Sequence, residues 1–310
     1  MKIYKFYGIT IAMLAAGVLL SVFGFGGAEG TIIKMRALKT LGAALSGGAL
    51  AAAGVLLQNL LKNPLADPYI LGTSSGSTLG IVTAGMLGLA YFGAGYYLFI
   101  VGGAFFASLL VCMLAYGRGR GSAVKVILAG IAVNIFLSSL VMLAMFLYRQ
   151  AYFSALSFML GTISERPPFV LAASGALIAA GFALALPLAR ACDILSLGEF
   201  QAQTLGADIK KLRYGVLLAV ALLVGGAVGI CGAIGFVGFI VPHIARLLTG
   251  PKVKGLLFAS FALGAAFLVD MEVLNRLLFY PRQMPVGLLC ALSGAPFFIW
   301  VLLRGKGEYF

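Results

Sequence analysis

Histidine is almost absent from this chain of 310 residues: His243 stands alone, so no multi-histidine metal site can form. Cysteine is scarce and scattered. Cys112, Cys192, Cys231 and Cys290 sit singly in or near apolar stretches, with no CxxC pair, and read as small packing residues. Only 10% of the residues are charged, where a soluble domain carries about 25%. That deficit excludes an ordinary globular enzyme. Phosphate loops are missing too. The stretches "GTSSGSTLG" (72–80) and "GRGRGSAVK" (117–125) are glycine-rich, but neither matches GxxxxGK[ST] or follows a strand. The chain therefore binds no ATP by this route, and no nucleophile–base pair suggests an enzyme.

What remains is apolar: 62% of the sequence, with 42 glycines. Small residues at i, i+4 spacing, such as Gly225 and Gly229 or Gly181, Ala185 and Ala189, let helices approach closely in lipid. The fold expected is an all-α polytopic membrane protein, one domain over 1–310 with no internal repeat or linker. A bilayer core of about 30 Å takes roughly 20 apolar residues per helix. Apolar runs give ten spans: 8–25, 40–60, 69–90, 95–116, 124–147, 168–189, 214–232, 234–248, 255–271 and 285–303. The apolar run near the N-terminus is longer than a signal-peptide core and lacks an A-x-A site, so it reads as the first span. Every Lys, Arg, Asp and Glu is expected in a connection or at a span end, and no carboxylate at mid-span suggests an ion-coupled carrier.

The net charge of +13 raises the question of nucleic acid, but its distribution is topological. With the N-terminus inside, fifteen Lys and Arg residues fall on the cytoplasmic side and seven outside (Lys34, Arg36, Lys39, Arg149, Arg166, Arg276 and Arg282). The positive-inside rule then places both termini in the cytoplasm and leaves no need for a nucleic-acid partner.

One connection stands apart. Lys62-Asn63-Pro64-Leu65-Ala66-Asp67-Pro68 carries two charges, an amide and two prolines between apolar runs. Proline fixes φ and removes a donor, so the turn is stiff. Sequence physics alone leaves a plain helix connection held by Asn and Asp side chains as the simpler reading. The wider segment "GVLLQNLLKNPLADPYILGTSSGSTLG" resembles the hallmark of the permease subunits of type II ABC importers for iron–siderophores, haem and cobalamin. Four further stretches resemble the same family in order: "ILAGIAVNIFLSSL" (127–140), "LSLGEFQAQTLGADIKKLR" (195–213), "GAIGFVGFIVPHIARLLTG" (232–250) and "MPVGLLCALSGAPFFIWVLL" (284–303).

The resemblance implies a bacterial cytoplasmic-membrane permease that moves a metal chelate, ferric siderophore or haem, with cobalamin as the nearest alternative. A secondary transporter driven by an ion gradient is the rival from another class. The family works as a homodimer with two cytoplasmic ATPase subunits and an extracytoplasmic substrate-binding protein. ATP and Mg belong to the ATPase, and no cofactor or metal is expected on this chain. By resemblance, Asn63, Pro64 and Leu65 form part of a cytoplasmic gate, with a second element near Ser122 to Val124. Glu199, Ala202, Leu205 and Gly206, an E-x-x-A-x-x-L-G pattern, match the loop that couples to the ATPase, where small residues would permit close docking. Arg36, Lys39 and Arg276 match basic positions that meet the binding protein. Here Arg36-Ala37-Leu38-Lys39 replaces the family's Arg-x-Pro-Arg, and lysine lacks the bidentate fork of arginine. Gly235, Gly238, Pro242, His243 and Arg246 belong to a family signature without an assigned role. The outer connection 148–167 is expected to hold a short interfacial helix, as in the family.

Overall fold

The computed structural model describes residues 2–24, 30–91, 93–117, 122–148, 152–280, 282 and 284–304. Arg118, Arg120, Arg149 and Lys306 of the charge map lie outside the described residues. Helices account for most of the described chain: α1 (Lys2–Phe23), α2 (Gly30–Leu61), α3 (Thr73–Met86), α4 (Ala94–Tyr116), α5 (Ala123–Leu147), α6 (Tyr152–Met159), α7 (Pro168–Ser196), α8 (Glu199–Thr204), α9 (Ile209–Cys231), α10 (Val237–Thr249), α11 (Val253–Phe279) and α12 (Val286–Arg304). A 3-10 turn, Pro68–Leu71, precedes α3. Each expected span contains a helix, and α6 is the short helix expected in the connection 148–167. Among the described residues, seven helices are long and apolar enough to cross a membrane.

Two expectations needed correction. The third span, expected over 69–90, is divided into the 3-10 turn and a helix of 14 residues. At 1.5 Å per residue α3 reaches only about 21 Å. The connection after the ninth span was placed from residue 272 onward, yet α11 continues to Phe279. Glu272 and Arg276 are therefore helical and buried, and so is Lys39, because α2 starts at Gly30 rather than at 40; the expectation that all charges sit in connections or at span ends fails at these three.

The core is built around α2, which packs against α11, α9, α10 and α7. Small residues make that crowding feasible. A Cβ on Gly47 would lie 2.1 Å from the Gly264 carbonyl oxygen of α11, and one on Gly54 would lie 1.8 Å from the Gly238 carbonyl oxygen. The small-residue stripe of α7 behaves as its spacing implies: Ala185 and Ala189 are buried, and Gly181 faces Leu223 of α9. In lipid there is no hydrophobic drive between helices, so close contact between small residues provides the attraction instead. Some helix starts are held by polar side chains. Ser122 Oγ accepts from Lys125 N (3.3 Å), and Asp193 Oδ1 on α7 accepts from Val253 N (2.8 Å) at the start of α11.

Replacing Gly47 by leucine forces α2 away from α11 and is expected to cost about 1–3 kcal/mol or more through overpacking. Gly175→Ala, whose added Cβ would meet only Leu45 at 3.9 Å, is the neutral comparison. Thermal unfolding of the purified protein in detergent should show a lowered Tm for the first variant and an unchanged or raised Tm for the second.

Candidate functional site

The connection after α2 is a built structure. Asn63 N donates to Gln58 O (3.1 Å) and Lys62 N to Asn59 O (3.2 Å), with Lys62 at φ 48°. This paired pattern closes the helix in a Schellman cap, with a lysine where glycine is usual. Asn63 Oδ1 then accepts from Leu65 N at 2.9 Å, and Asn63 O accepts from Ala66 N at 3.1 Å. Asp67 Oδ1 accepts from Tyr69 N at 2.8 Å and starts the 3-10 turn. Asn63 is thus spent on holding the turn, while Leu65 is partly exposed at its tip.

Two helices grip the segment that follows. On the α5 side, Asn134 Nδ2 donates to Tyr69 O (3.1 Å) and Ile70 O (3.5 Å), and Asn134 Oδ1 accepts from Ser75 Oγ (2.8 Å). A Cβ on Gly130 would come within 2.0 Å of Ile70 O, so the turn lies directly on the α5 backbone. On the α10 side, Ile234 N donates to Tyr69 Oη at 2.9 Å. A Cβ on Gly238 would meet Pro68 Cδ at 2.5 Å.

The signature residues of α10 explain one another. Pro242 has no N–H, so the carbonyl four residues earlier, on Gly238, loses its helical partner. Gln58 Nε2 of α2 donates to that carbonyl (3.3 Å) and to Phe239 O (3.4 Å). Arg246 Nη2 donates to Gln58 Oε1 at 3.1 Å. Gly238, Pro242 and Arg246 follow at intervals of four and therefore share one helix face. His243 turns elsewhere and packs edge-on against Phe297 of α12, with ring centroids 6.3 Å apart. Gly235 has open space around it. Phe236, at φ 68°, presents its ring to Gly294 of α12.

The loop carrying α8 has a buried and an exposed side. Ala202 is fully buried within the chain, where α8 packs on α7, so its small side chain does not serve outward docking as the sequence suggested. Gly206 adopts φ 83°, with Gly206 N donating to Gln203 O and Ala207 N to Ala202 O, both at 2.9 Å. Its glycine is required by this left-handed cap. Glu199 pairs with Arg213 of α9, which also lies over the Tyr116 ring at 5.4 Å. The Lys211 backbone N–H holds the Asp208 carboxyl below its ordinary pKa. Phe200 and Leu205 project outward, 80% and 63% exposed.

At the far end of α2, Lys39 Nζ and Arg276 Nη2 lie 2.9 and 2.6 Å from Glu272 Oε1. Ser21 Oγ donates to Glu272 Oε2 (3.0 Å), and Arg276 Nη1 donates to Ser21 O (2.8 Å). Lys39 and Arg276 are therefore buried and ion-paired within the chain, whereas the neighbouring Arg36 is half-buried and donates to Val22 O. Sequence reasoning passed over Glu272, Gln58 and Tyr69. The available signals were the i, i+4 spacing of Glu272 and Arg276 and the single amide pair inside the apolar end of α2.

The FecCD transport family model matches residues 6–304. The chain belongs to that family. Among curated relatives, an ABC transporter permease protein of Bacillus subtilis, YvrB, is 35% identical over 91% of this chain and 83% of its own length. The hemin transport system permease protein HmuU of Yersinia pestis is 34% identical, covering 89% of this chain and 84% of its own. The vitamin B12 import system permease protein BtuC of Klebsiella pneumoniae is 32% identical over 89% and 83% respectively. A metal-chelate type ABC transporter in an inward-facing conformation superposes with a TM-score of 0.87 at 26% identity, over 97% of this chain and 99% of that one.

Within this FecCD chain the Gln58 clamp makes a quantitative prediction. Gln58→Leu strands the Gly238 carbonyl and should cost about 1–3 kcal/mol. Pro242→Ala supplies the missing N–H, so in the double variant the Gln58→Leu penalty should shrink. A double-mutant cycle on Tm in detergent measures that coupling. Additive penalties would rule the clamp out.

Proposed function

We propose that this chain is the permease subunit of an ATP-binding-cassette importer that carries a metal chelate across a bacterial cytoplasmic membrane by alternating access. Whole-length membership of the FecCD family, with the 0.87 superposition on a metal-chelate transporter, carries this reading. Two copies would enclose a central pathway, with both termini in the cytoplasm. Two ATPase subunits holding ATP and Mg would dock on the α8 loop, and a binding protein would deliver the chelate on the opposite side.

In this arrangement Asn63, Pro64 and Leu65 form the inner gate, with Leu65 as its apolar tip. The outward pair Phe200 and Leu205 supports the docking assignment of the α8 loop, because exposed apolar side chains there gain a buried partner on assembly. Glu199, Ala202 and Gly206 hold that loop in shape. By family resemblance the segment Ser122 to Val124, at the start of α5, is the second element of that gate. Of Arg36, Lys39 and Arg276, Arg36 is the one left at the surface to meet an acidic binding protein. Lys39 and Arg276 support that surface by fixing α2 against α11 through Glu272.

Reconstitution of the chain with its ATPase and binding protein in proteoliposomes tests the proposal. Chelate uptake should require ATP and all three components. Uptake that follows an ion gradient and ignores ATP would falsify it. Phe200→Ala should remove about 2 kcal/mol or more of docking energy, a roughly thirty-fold weaker hold on the ATPase, without lowering the Tm of the isolated permease.

A further inference from the structure

We infer that Arg213 is a positioning residue for gating: it ties the α8 loop to α4 and so passes motion from the ATPase side to the inner gate. The inference rests on the transporter reading and names the residue that transmits within it. Arg213 stands near the start of α9 with its side chain 13% exposed, and it makes contacts in two directions. Its Nη2 donates to Oε1 of Glu199, the first residue of α8. Its guanidinium also lies over the ring of Tyr116, the last residue of α4, at 5.4 Å, inside the range of a cation–π contact. Tyr214, the next residue of α9, adds a tilted ring contact with Tyr116 at 5.9 Å. A planar guanidinium does both at once, bonding in its plane and stacking through its face.

The α8 helix is built as a separate piece. Positive φ at Gly198 (135°) and Gly206 (83°) bends the backbone at both ends, and of its own residues only Ala202 is buried. A push on Phe200 and Leu205 enters the bundle through Ala202 against α7, and through Glu199 and Arg213 into α9 and α4. The second route leads to the gate. Helix α4 packs on both α3 and α5. A Cβ on Gly103 of α4 would lie 2.1 Å from the Gly76 carbonyl oxygen of α3, so these two helices shift together. Residues 62–72 run into α3 and are held by Asn134 of α5, so a displacement of α4 reaches the turn from both sides. Glu199 is half-exposed, and an ion pair open to water adds little to stability. What the Arg213 grip supplies is a direction for the motion.

Thiol labelling in the assembled permease–ATPase complex, in lipid nanodiscs, tests the link without any transported probe. Cys112 is the one native cysteine that is not buried, so Cys112→Ala provides the background, and Leu65→Cys added to it reports on the gate. In this parent, Mg-ATP should change the rate of N-ethylmaleimide labelling several-fold. Arg213→Ala and Tyr116→Leu should each cut that response several-fold, with the ATPase still bound and active and the Tm of the permease little changed. Arg213→Lys, which keeps the charge but loses the planar face, should fall between. The double variant should respond no worse than Arg213→Ala alone, because both changes break one link. A full response in Arg213→Ala, or losses that multiply in the double variant, would overturn the inference. So would a lost response that comes with unfolding or release of the ATPase in all three single variants, which is the mark of a merely structural role. A parent that binds no ATPase, or whose labelling ignores ATP, would instead sink the transporter reading.

Discussion

A peptide group with no water beside it must find its hydrogen bond inside the protein. That constraint falls on the buried part of residues 62–72, the non-α-helical run joining α2 to α3, where Ala66, Pro68, Leu71 and Gly72 are buried. The chain meets it with a Schellman cap at Lys62, an Asx turn at Asn63, and side chains lent by α5 and α10. Most of the special residues near the centre of the molecule follow from this requirement. Asn134 exists on α5 to satisfy Tyr69 and Ile70, and Gly130 exists there so that the turn can lie on the helix. Pro242 opens a carbonyl that Gln58 closes, so α2 and α10 are bonded at the level where the turn begins. A segment gripped from two helices moves only when those helices move, which suits a gate driven from a distance better than a loose loop would.

Close backbone approach is the second organising feature. Gly47 with Gly264, Gly54 with Gly238, and Gly76 with Gly103 bring α2, α11, α10, α3 and α4 together, a carbonyl oxygen of one helix filling the space a Cβ would take on the other. Bulk at these positions would separate helices that share the buried polar links described above. At the opposite end of α2, Lys39 and Arg276 share the Glu272 carboxylate out of water, an arrangement strongly destabilised when that carboxylate is removed. The two ends of α2 are thus fixed by different means, an ion cluster at one and an amide clamp at the other.

Helix number and placement were legible because the apolar runs and their charged borders are unambiguous. The stop of α3 and the extension of α11 were not, for a physical reason. Tyr69 to Leu71 are apolar and read as span, but the chain is wound as a 3-10 turn by Asp67 and by Asn134, which lies far away in sequence. Glu272 and Arg276 read as a connection because single charges are costly in lipid, whereas the fold pairs them with each other and with Lys39 from another helix. The turn at Asn63 was visible from its prolines, and its simpler reading, Asn and Asp bonding to the backbone, is correct as geometry. Ala202 and Gly206 were noticed for being small. One is small because it packs inside and the other because its φ is positive, and neither requirement can be read from spacing.

The central claim is that residues 62–72 move as one clamped unit to close a pathway between two copies of the chain. Leu65→Cys in the reconstituted complex, on the Cys112→Ala background, tests it by thiol cross-linking across the dimer with a short bifunctional maleimide. The yield should change sharply between the nucleotide-free and ATP-bound states of the complex, and an accompanying Asn134→Ala should blunt that change by loosening the grip. A cross-link yield that is the same in both states, or that is indifferent to Asn134, would contradict the clamped gate.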